Sequence, residues 1–388
     1  MGDKVYCTMV PFEFNPRTRA IFGPGCVERV GAAARELRFQ RVLLVADRGL
    51  VDAGHVARVR RSLEAASIAV FQFHDFGENP DSAMVEAGRA WAEPHAVDGI
   101  VALGGGSSLD AAKGINFLLT NGGSIAAYRG YGRAAQPLLP MIGIPTTAGT
   151  GSEAQSYAVI SDATTHLKMA CGDPTAAFKI ALLDPELTVT APRHVTALAG
   201  LDAIAHAVET AVTAKRTALS DMYSHEAWRL LSGAFERVLL HPTDIEARAA
   251  MLAGAHFAGV AIEQSMLGAA HACANPLTAK YNIAHGLALA MLLPTVIRWN
   301  ASVAQDGYSA LLRSPRRRVR DEDAAESLAR RLEDLATTGG MGLKLSDAGV
   351  EAAHLPELAA QAAQQWTGTF NPRRLDAEGA LEIYRAAY

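Results

Sequence analysis

The sequence predicts an α/β unit built on a parallel, Rossmann-like sheet, residues 1–190, followed by an all-helical unit, residues 191–388. Three observations carry this reading. Short β-branched apolar runs alternate with amphipathic stretches through the first half, and a triple glycine directly follows one of these runs. After about Pro192 the strand signal stops, and stretches rich in Ala, Leu, Glu and Arg continue to the C-terminus.

Taken in order, "RVLLVAD" (41–47), "SIAVFQF" (67–73), "DGIVALGGG" (98–106), "LLPMIGIPTT" (138–147) and "KIALLD" (179–184) are near-continuous apolar runs. A strand buried on both faces loses the polar alternation of a half-exposed one, so these are expected to be parallel strands. Gly54–Ala66 and Ser82–Pro94 are the helices expected between them. In the second half, "HPTD" (241–244), "SPRRR" (314–318) and "TTGGMG" (337–342) mark turns between helices. No repeat or low-complexity linker separates the halves, so they are expected to share an interface with a ligand cleft.

With 388 residues, 49% hydrophobic and 20% charged, the chain has the composition of a soluble protein with room for two cores. A net charge of -4 gives no electrostatic reason to expect nucleic acid or an anionic membrane as partner. The basic run "RRRVR" (316–320) is followed by "DED" and is expected to be a solvated loop or helix start. The N-terminus lacks an apolar signal region, and no stretch reaches the roughly 20 uninterrupted apolar residues of a membrane span. Cys7, Cys26, Cys171 and Cys273 are scattered without a CxxC pair, which suits a reducing compartment. A cytoplasmic location is expected.

"VALGGGSSLDAAKG" (101–114) places glycines between a strand and a helix, where the backbone can approach a ligand and the first-turn N–H groups can face a phosphate. The same residues also fit a plain glycine turn with a Ser107-x-x-Asp110 capping box. The glycines are contiguous, so this is not the G-x-G-x-x-G fingerprint. Asp47 ends the first strand, where a carboxylate can accept from an adenosine ribose and repel a 2′-phosphate, or can simply cap a helix. "IPTTAGTGSE" (144–153) adds a second donor-rich loop at the same sheet edge, which favours a dinucleotide over a lone phosphate.

"AGLDAIAHAVE" (199–209) places Asp202 and His206 at i and i+4, on one helix face. His271 and His285 follow in "AHACANPLTAKYNIAHG" (270–286). One carboxylate and three imidazoles in an apolar helical half would make a four-ligand site for one divalent metal with room for a substrate oxygen. His225, His241 and His256 have no comparable partners in the sequence and are expected to be surface or packing residues.

"GGGSSLDAAKG", "IPTTAGTGSE", "GLDAIAHAVE" and "AHACANPLTAKYNIAHG" resemble, in the same order, the four signatures of the iron-containing, or group III, alcohol dehydrogenases. The resemblance runs from "FGPG" (22–25) to "NPRR" (371–374) and implies a dehydroquinate synthase-like architecture with a dinucleotide in the cleft. It implies Asp202, His206, His271 and His285 as metal ligands, with Fe2+ or Zn2+ as the ion. It makes Gly104, Gly105, Gly106, Ser107, Ser108 and Asp110 the pyrophosphate and nicotinamide-ribose loop, and Asp47 the acceptor that selects NAD. Asn79 resembles the family's cofactor-contacting asparagine. Thr146, Thr147 and Thr150 resemble its adenine and nicotinamide contacts, Lys168 its ribose-binding lysine, and Leu187 an apolar contact. A homodimer or larger homo-oligomer is also implied.

One position departs from the pattern. Four residues after the third ligand, where family members commonly carry a histidine used for substrate binding or proton release, stands Asn275, which cannot titrate near neutral pH. The activity implied is interconversion of a small primary alcohol, diol or hydroxy-acid with its aldehyde by hydride transfer to NAD, the metal polarising the substrate oxygen. Ile262 and Gln264 are expected to line the substrate pocket from the His271 helix. The competing readings are a metal- and NAD-using sugar-phosphate cyclase or glycerol dehydrogenase type of enzyme, and a non-catalytic NAD and metal binder. The first would need more basic residues near the metal than the helical motifs offer.

Overall fold

The computed structural model describes residues 11–313 and 323–388. The basic run 316–320 and Cys7 lie outside the described residues. The sheet half runs β1 (Arg19–Phe22), α1 (Val30–Glu36), β2 (Arg41–Val45), α2 (Arg48–Asp52), α3 (His55–Ala65), β3 (Ala69–Phe73), α4 (Ser82–Ala92), β4 (Gly99–Gly104), α5 (Gly106–Asn121), β5 (Gly130–Tyr131), β6 (Met141–Pro145), β7 (Tyr157–Ser161), β8 (Lys168–Gly172) and β9 (Ile180–Leu183). The helical half follows as α6 (Arg193–Thr210), α7 (Ala218–Leu240), α8 (Ile245–Gln264), α9 (Ala269–Tyr281), α10 (His285–Leu312), α11 (Ala324–Thr338), α12 (Leu355–Ala362) and α13 (Ala377–Ala386).

All five strands expected from the apolar runs form. With β1 they make a parallel six-stranded sheet of order β1-β9-β6-β4-β2-β3. Alternate residues face opposite cores: Leu43, Val45, Ile100 and Ala102 pack on one side, Val42, Leu44, Val101 and Leu103 on the other. Both faces are dry, and this is why the runs read as continuous apolar sequence. The chain steps outward from β2 to β3, then returns to lay β4 on the other side of β2. That reversal opens a crevice beyond the carboxyl ends of β2 and β4, the position where open α/β sheets bind ligands.

A second, three-stranded sheet, β5-β8-β7, was not anticipated. Its β7–β8 pair is an antiparallel hairpin closed around Asp162–Leu167, with Ala158, Ile160, Met169 and Cys171 buried at alternate positions. It carries Tyr157 and Lys168 toward the helical half. α8 and α10 are long and apolar enough by composition to cross a membrane, but 61% of the most apolar window of each is buried inside the structure, as in the core helix of a bundle.

Candidate metal and dinucleotide cleft

Two helix starts and one helix middle build the metal end of the cleft. Asp202 and His206 face it from one side of α6. His271 lies in the first turn of α9, whose N-cap is Gly268, and His285 is the first residue of α10, after a left-handed Asn282. Gly286 makes the approach possible, because a Cβ there would meet the Leu198 carbonyl oxygen at 2.2 Å. The start of α10 therefore packs directly on α6, and His285 arrives beside Asp202.

The three imidazoles converge on one carboxylate oxygen. Nε2 of His206, His271 and His285 lie 3.2, 3.6 and 3.9 Å from Asp202 Oδ1. Ligand atoms at ~2.1 Å from a tetrahedral ion sit roughly 3.4 Å apart, so these separations fit a shared divalent cation. Single ligand atoms of Asp202, His271 and His285 lie within 4.8 Å of one another. Asp202 Oδ1 and His271 Nε2 are buried without any hydrogen-bond partner. Buried polar atoms are rarely left so, and a cation would satisfy both.

The electrostatics agree. Burial alone would raise the Asp202 pKa, but the three imidazoles hold its carboxyl well below the usual carboxylate range. Burial alone would lower the His271 pKa, but Glu209 and Asp202 outweigh it and raise it to about 9, so the pocket favours positive charge where an ion would sit. Burial, with Lys168 nearby, pushes His285 well down and keeps its lone pair available.

The sequence reading missed Glu209. Its buried carboxylate accepts from His271 Nδ1 at 2.5 Å and from the Ala270 N–H at 2.7 Å. This fixes the His271 tautomer and aims Nε2 at Asp202. The signal was present: Glu209 lies seven residues after Asp202 and three after His206, on the same helix face. His206 and His285 leave Nδ1 without a partner, so Glu209 is the carboxylate anchor of this cluster among the described residues.

Opposite the metal end stands the amino end of α5. Gly105 is its N-cap and supplies no side chain, so the first-turn N–H groups face the cleft. The alternative Ser107-x-x-Asp110 capping box does not form. Ser107 Oγ accepts from the Asn79 N–H at 3.3 Å, and Asp110 accepts from Ser152 Oγ and the Val159 N–H. Gly104 has φ +145°, and a Cβ on it would meet Ser108 Oγ at 2.2 Å; one on Gly106 would meet Thr150 Cγ2 at 2.5 Å. These two positions admit glycine alone without rearrangement.

Asn79, Gly106, Ser107, Asp110, Thr150 and Lys168 share a cavity of about 240 Å³ with Asp202, His206, His271, Asn275 and His285. The remaining candidates stand behind it. Ser108 is fully buried and donates to Asp47 Oδ2 at 3.3 Å. Asp47 also caps α2 through the Leu50 N–H, so its capping role is real and it keeps a half-exposed carboxylate at the crevice. Thr146 is buried with its N–H on the Gly104 carbonyl, and Thr147 stacks against Gly105. Leu187 is fully buried in the core beneath the sheet and presents no surface to the cleft.

Two smaller expectations are corrected. Ile262 lines the cleft, but from α8 rather than the His271 helix, and Gln264 lines a separate cavity on the far side of α8. His256 is no isolated packing residue: its Nδ1 pairs with buried Glu153 of the "IPTTAGTGSE" loop at 3.0 Å, tying the helical half to the sheet half. Gln365 and Trp366 also line the cleft, and no local pattern tied them to residues some 90 positions earlier.

The model of the iron-containing alcohol dehydrogenases matches residues 16–185, and that of the C-terminal part of the same family matches residues 196–388. The chain is 35% identical over 366 residues to a probable alcohol dehydrogenase, EutG, of Escherichia coli, covering 94% of this chain and 92% of the relative. It is 30% identical over 371 residues to the NAD-dependent methanol dehydrogenase of Bacillus methanolicus, covering 95% and 97%. A crystal structure of 1,3-propanediol oxidoreductase superposes with TM-score 0.92 at 30% identity, covering 96% of this chain and 98% of that one. The chain belongs to the iron-containing alcohol dehydrogenase family.

Proposed function

We propose that this protein is an NAD-dependent alcohol dehydrogenase and aldehyde reductase acting on small primary alcohols or diols, with Asp202, His206, His271 and His285 holding a divalent metal. The ion is ferrous iron, with zinc as the alternative that the ligand set also accepts. The observation that carries this reading is the convergence of three buried ligand side chains and the part-buried His285, each with a polar atom lacking a hydrogen-bond partner, across one small cavity from an uncapped helix start. The division at about residue 190 separates the parts: residues 1–190 hold the dinucleotide and residues 191–388 the metal.

When bound, the metal supplies Lewis-acid polarisation of an alcohol or carbonyl oxygen. The remaining work falls to the chain. The amino end of α5 receives the pyrophosphate on backbone N–H groups, and Gly104 and Gly106 let it come close. Lys168 reaches the cleft from β8, where burial lowers its pKa and the charges of Asp202 and Asp110 oppose that. Ile262, Met266, Leu267 and Trp366 give an apolar wall that excludes water. Lys168 is the only lysine or arginine lining the cavity among the described residues, which suits an uncharged substrate and disfavours a sugar-phosphate cyclase.

Asn275 Nδ2 donates to Gln365 Oε1 at 3.1 Å, which leaves the Asn275 carbonyl oxygen to accept from a substrate hydroxyl. It has no proton to exchange near neutral pH, so Asn275 holds the substrate hydroxyl without taking up the reaction proton. Asn275→His is expected to add an inflection near the histidine pKa of about 6.5 to the pH–rate profile of alcohol oxidation. A superimposable profile would show that the position takes no part in proton transfer.

We also infer a cytoplasmic homodimer or larger homo-oligomer. The three described cysteines are free and buried, and the edge strand β1 ends in Phe22, which is 51% exposed, a surface of the kind a second copy covers. The test of function is NADH formation from NAD across a panel of small primary alcohols and diols. Turnover on at least one of them is expected; metal binding without turnover on any alcohol or aldehyde would favour a cyclase or a binding protein.

A further inference from the structure

Lys113 lies on α5, two turns inside the helix that receives the dinucleotide, and its side chain is wholly buried. A lysine in such a place must find oxygen partners for every proton it carries. Nζ finds four: the carbonyl oxygens of Ser152, Gln155 and Tyr157 at 2.8, 2.9 and 2.6 Å, and Ser152 Oγ at 2.8 Å. Ser152 Oγ in turn donates to Asp110 Oδ1 at 2.6 Å. All the partners are acceptors, so the group is held as an ammonium. Burial holds the Lys113 pKa below the ordinary lysine value, and the negative charge of Asp110, Glu263 and Glu153 offsets part of that.

The segment gathered by Lys113 connects the two working ends of the cleft. Ser152, Gln155 and Tyr157 line the cavity shared by the phosphate helix and the metal cluster. From the other side, Glu263 of α8 accepts from the Ser156 N–H at 3.0 Å and from Ser156 Oγ at 2.7 Å, and His256 of α8 pairs with Glu153. At the bend, Gly151, with φ +61°, packs so closely on Gly259 that a Cβ on either would lie within 2.7 Å of the other's helix or loop backbone. Residues 151–157 are thus pinned to α5 by Lys113 and to α8 by two carboxylates, and they fix the spacing between the two helices.

We propose that Lys113 is a positioning residue for hydride transfer: by holding residues 152–157 against α5 it sets the register between the bound dinucleotide and the substrate at the metal cluster. The inference rests on the dehydrogenase reading above. Lys113 touches neither reactant; it acts through Ser152, Gln155 and Tyr157. A misplacement of about 1 Å in such an alignment costs on the order of 100-fold in rate.

The test is Lys113→Met, which keeps length and loses the charge and donors. Its kcat for alcohol oxidation is expected to fall by on the order of 100-fold, with metal content and the KM for NAD little changed. The primary deuterium isotope effect on kcat, measured with the alcohol deuterated at the reacting carbon, should rise as hydride transfer becomes limiting. If this variant fails to fold, Ser152→Ala, which removes one acceptor and the Asp110 link, carries the same test with a smaller loss. An unchanged kcat, or a loss of kcat that tracks lost metal or lost NAD binding with an unchanged isotope effect, would overturn the proposal. Absence of alcohol-dependent turnover in the unaltered protein would instead overturn the dehydrogenase reading itself.

Discussion

Replacing His271 by alanine is expected to abolish metal binding and to lower alcohol-dependent NADH formation by about a thousandfold. Lewis-acid polarisation is worth several kcal/mol, and each ~1.4 kcal/mol is a factor of ten. NAD binding should survive, because the α5 start and the crevice beyond β2 and β4 are built wholly from the sheet half. Metal analysis and NAD titration of the same preparation distinguish the effects. A variant that keeps its metal, or that loses NAD binding in parallel with activity, would contradict the ligand assignment.

Glu209→Gln is the second large effect, and it acts without touching a ligand atom. The carboxylate serves two donors, His271 Nδ1 and the Ala270 N–H, and an amide offers a single acceptor oxygen for both. The His271 ring loses its anchor and the basicity that a carboxylate partner confers. Loss of such an outer partner costs roughly 10–100-fold in metal affinity. Competition with a calibrated chelator reads it directly, with no need for turnover. Affinity within about twofold of the unaltered protein would mean that the His271 orientation is set by packing instead.

The strands of the large sheet were legible because burial on both faces leaves runs such as "RVLLVAD" and "DGIVALGGG" that a helix of the same length would not show. Their order was not, since nothing local says that β4 returns to the far side of β2. The β7–β8 hairpin is harder to see because only alternate residues such as Ala158, Ile160, Met169 and Cys171 are buried, so neither strand gives a run buried on both faces, yet it delivers Lys168 and Tyr157 to the cleft. Asp202 and His206 follow from helical periodicity, whereas the arrival of His271 and His285 at the same carboxylate depends on Gly286 packing against Leu198, a contact across some 90 residues. Asp47 shows the limit from the other side. It is a helix cap and a crevice carboxylate at once, and spacing alone could not separate the two roles.

The buried ties between the halves were the least visible. His256 looked unpartnered in sequence because Glu153 precedes it by 103 positions, in a loop read for its threonines. Lys113 sat within the glycine-loop helix, where a lysine ordinarily means a solvated face. Its burial becomes apparent only when residues 152–157 fold over it.

The most direct test is the metal content of protein purified without chelator or affinity-tag metal, followed by alcohol-dependent NADH formation before chelation, after chelation and after reloading with Fe2+. A single ion per chain is expected, with activity that disappears on chelation and returns on reloading in the unaltered protein but not in His271→Ala. Alcohol turnover that persists in fully chelated protein, or reloading that restores His271→Ala equally well, would contradict a catalytic metal on Asp202, His206, His271 and His285.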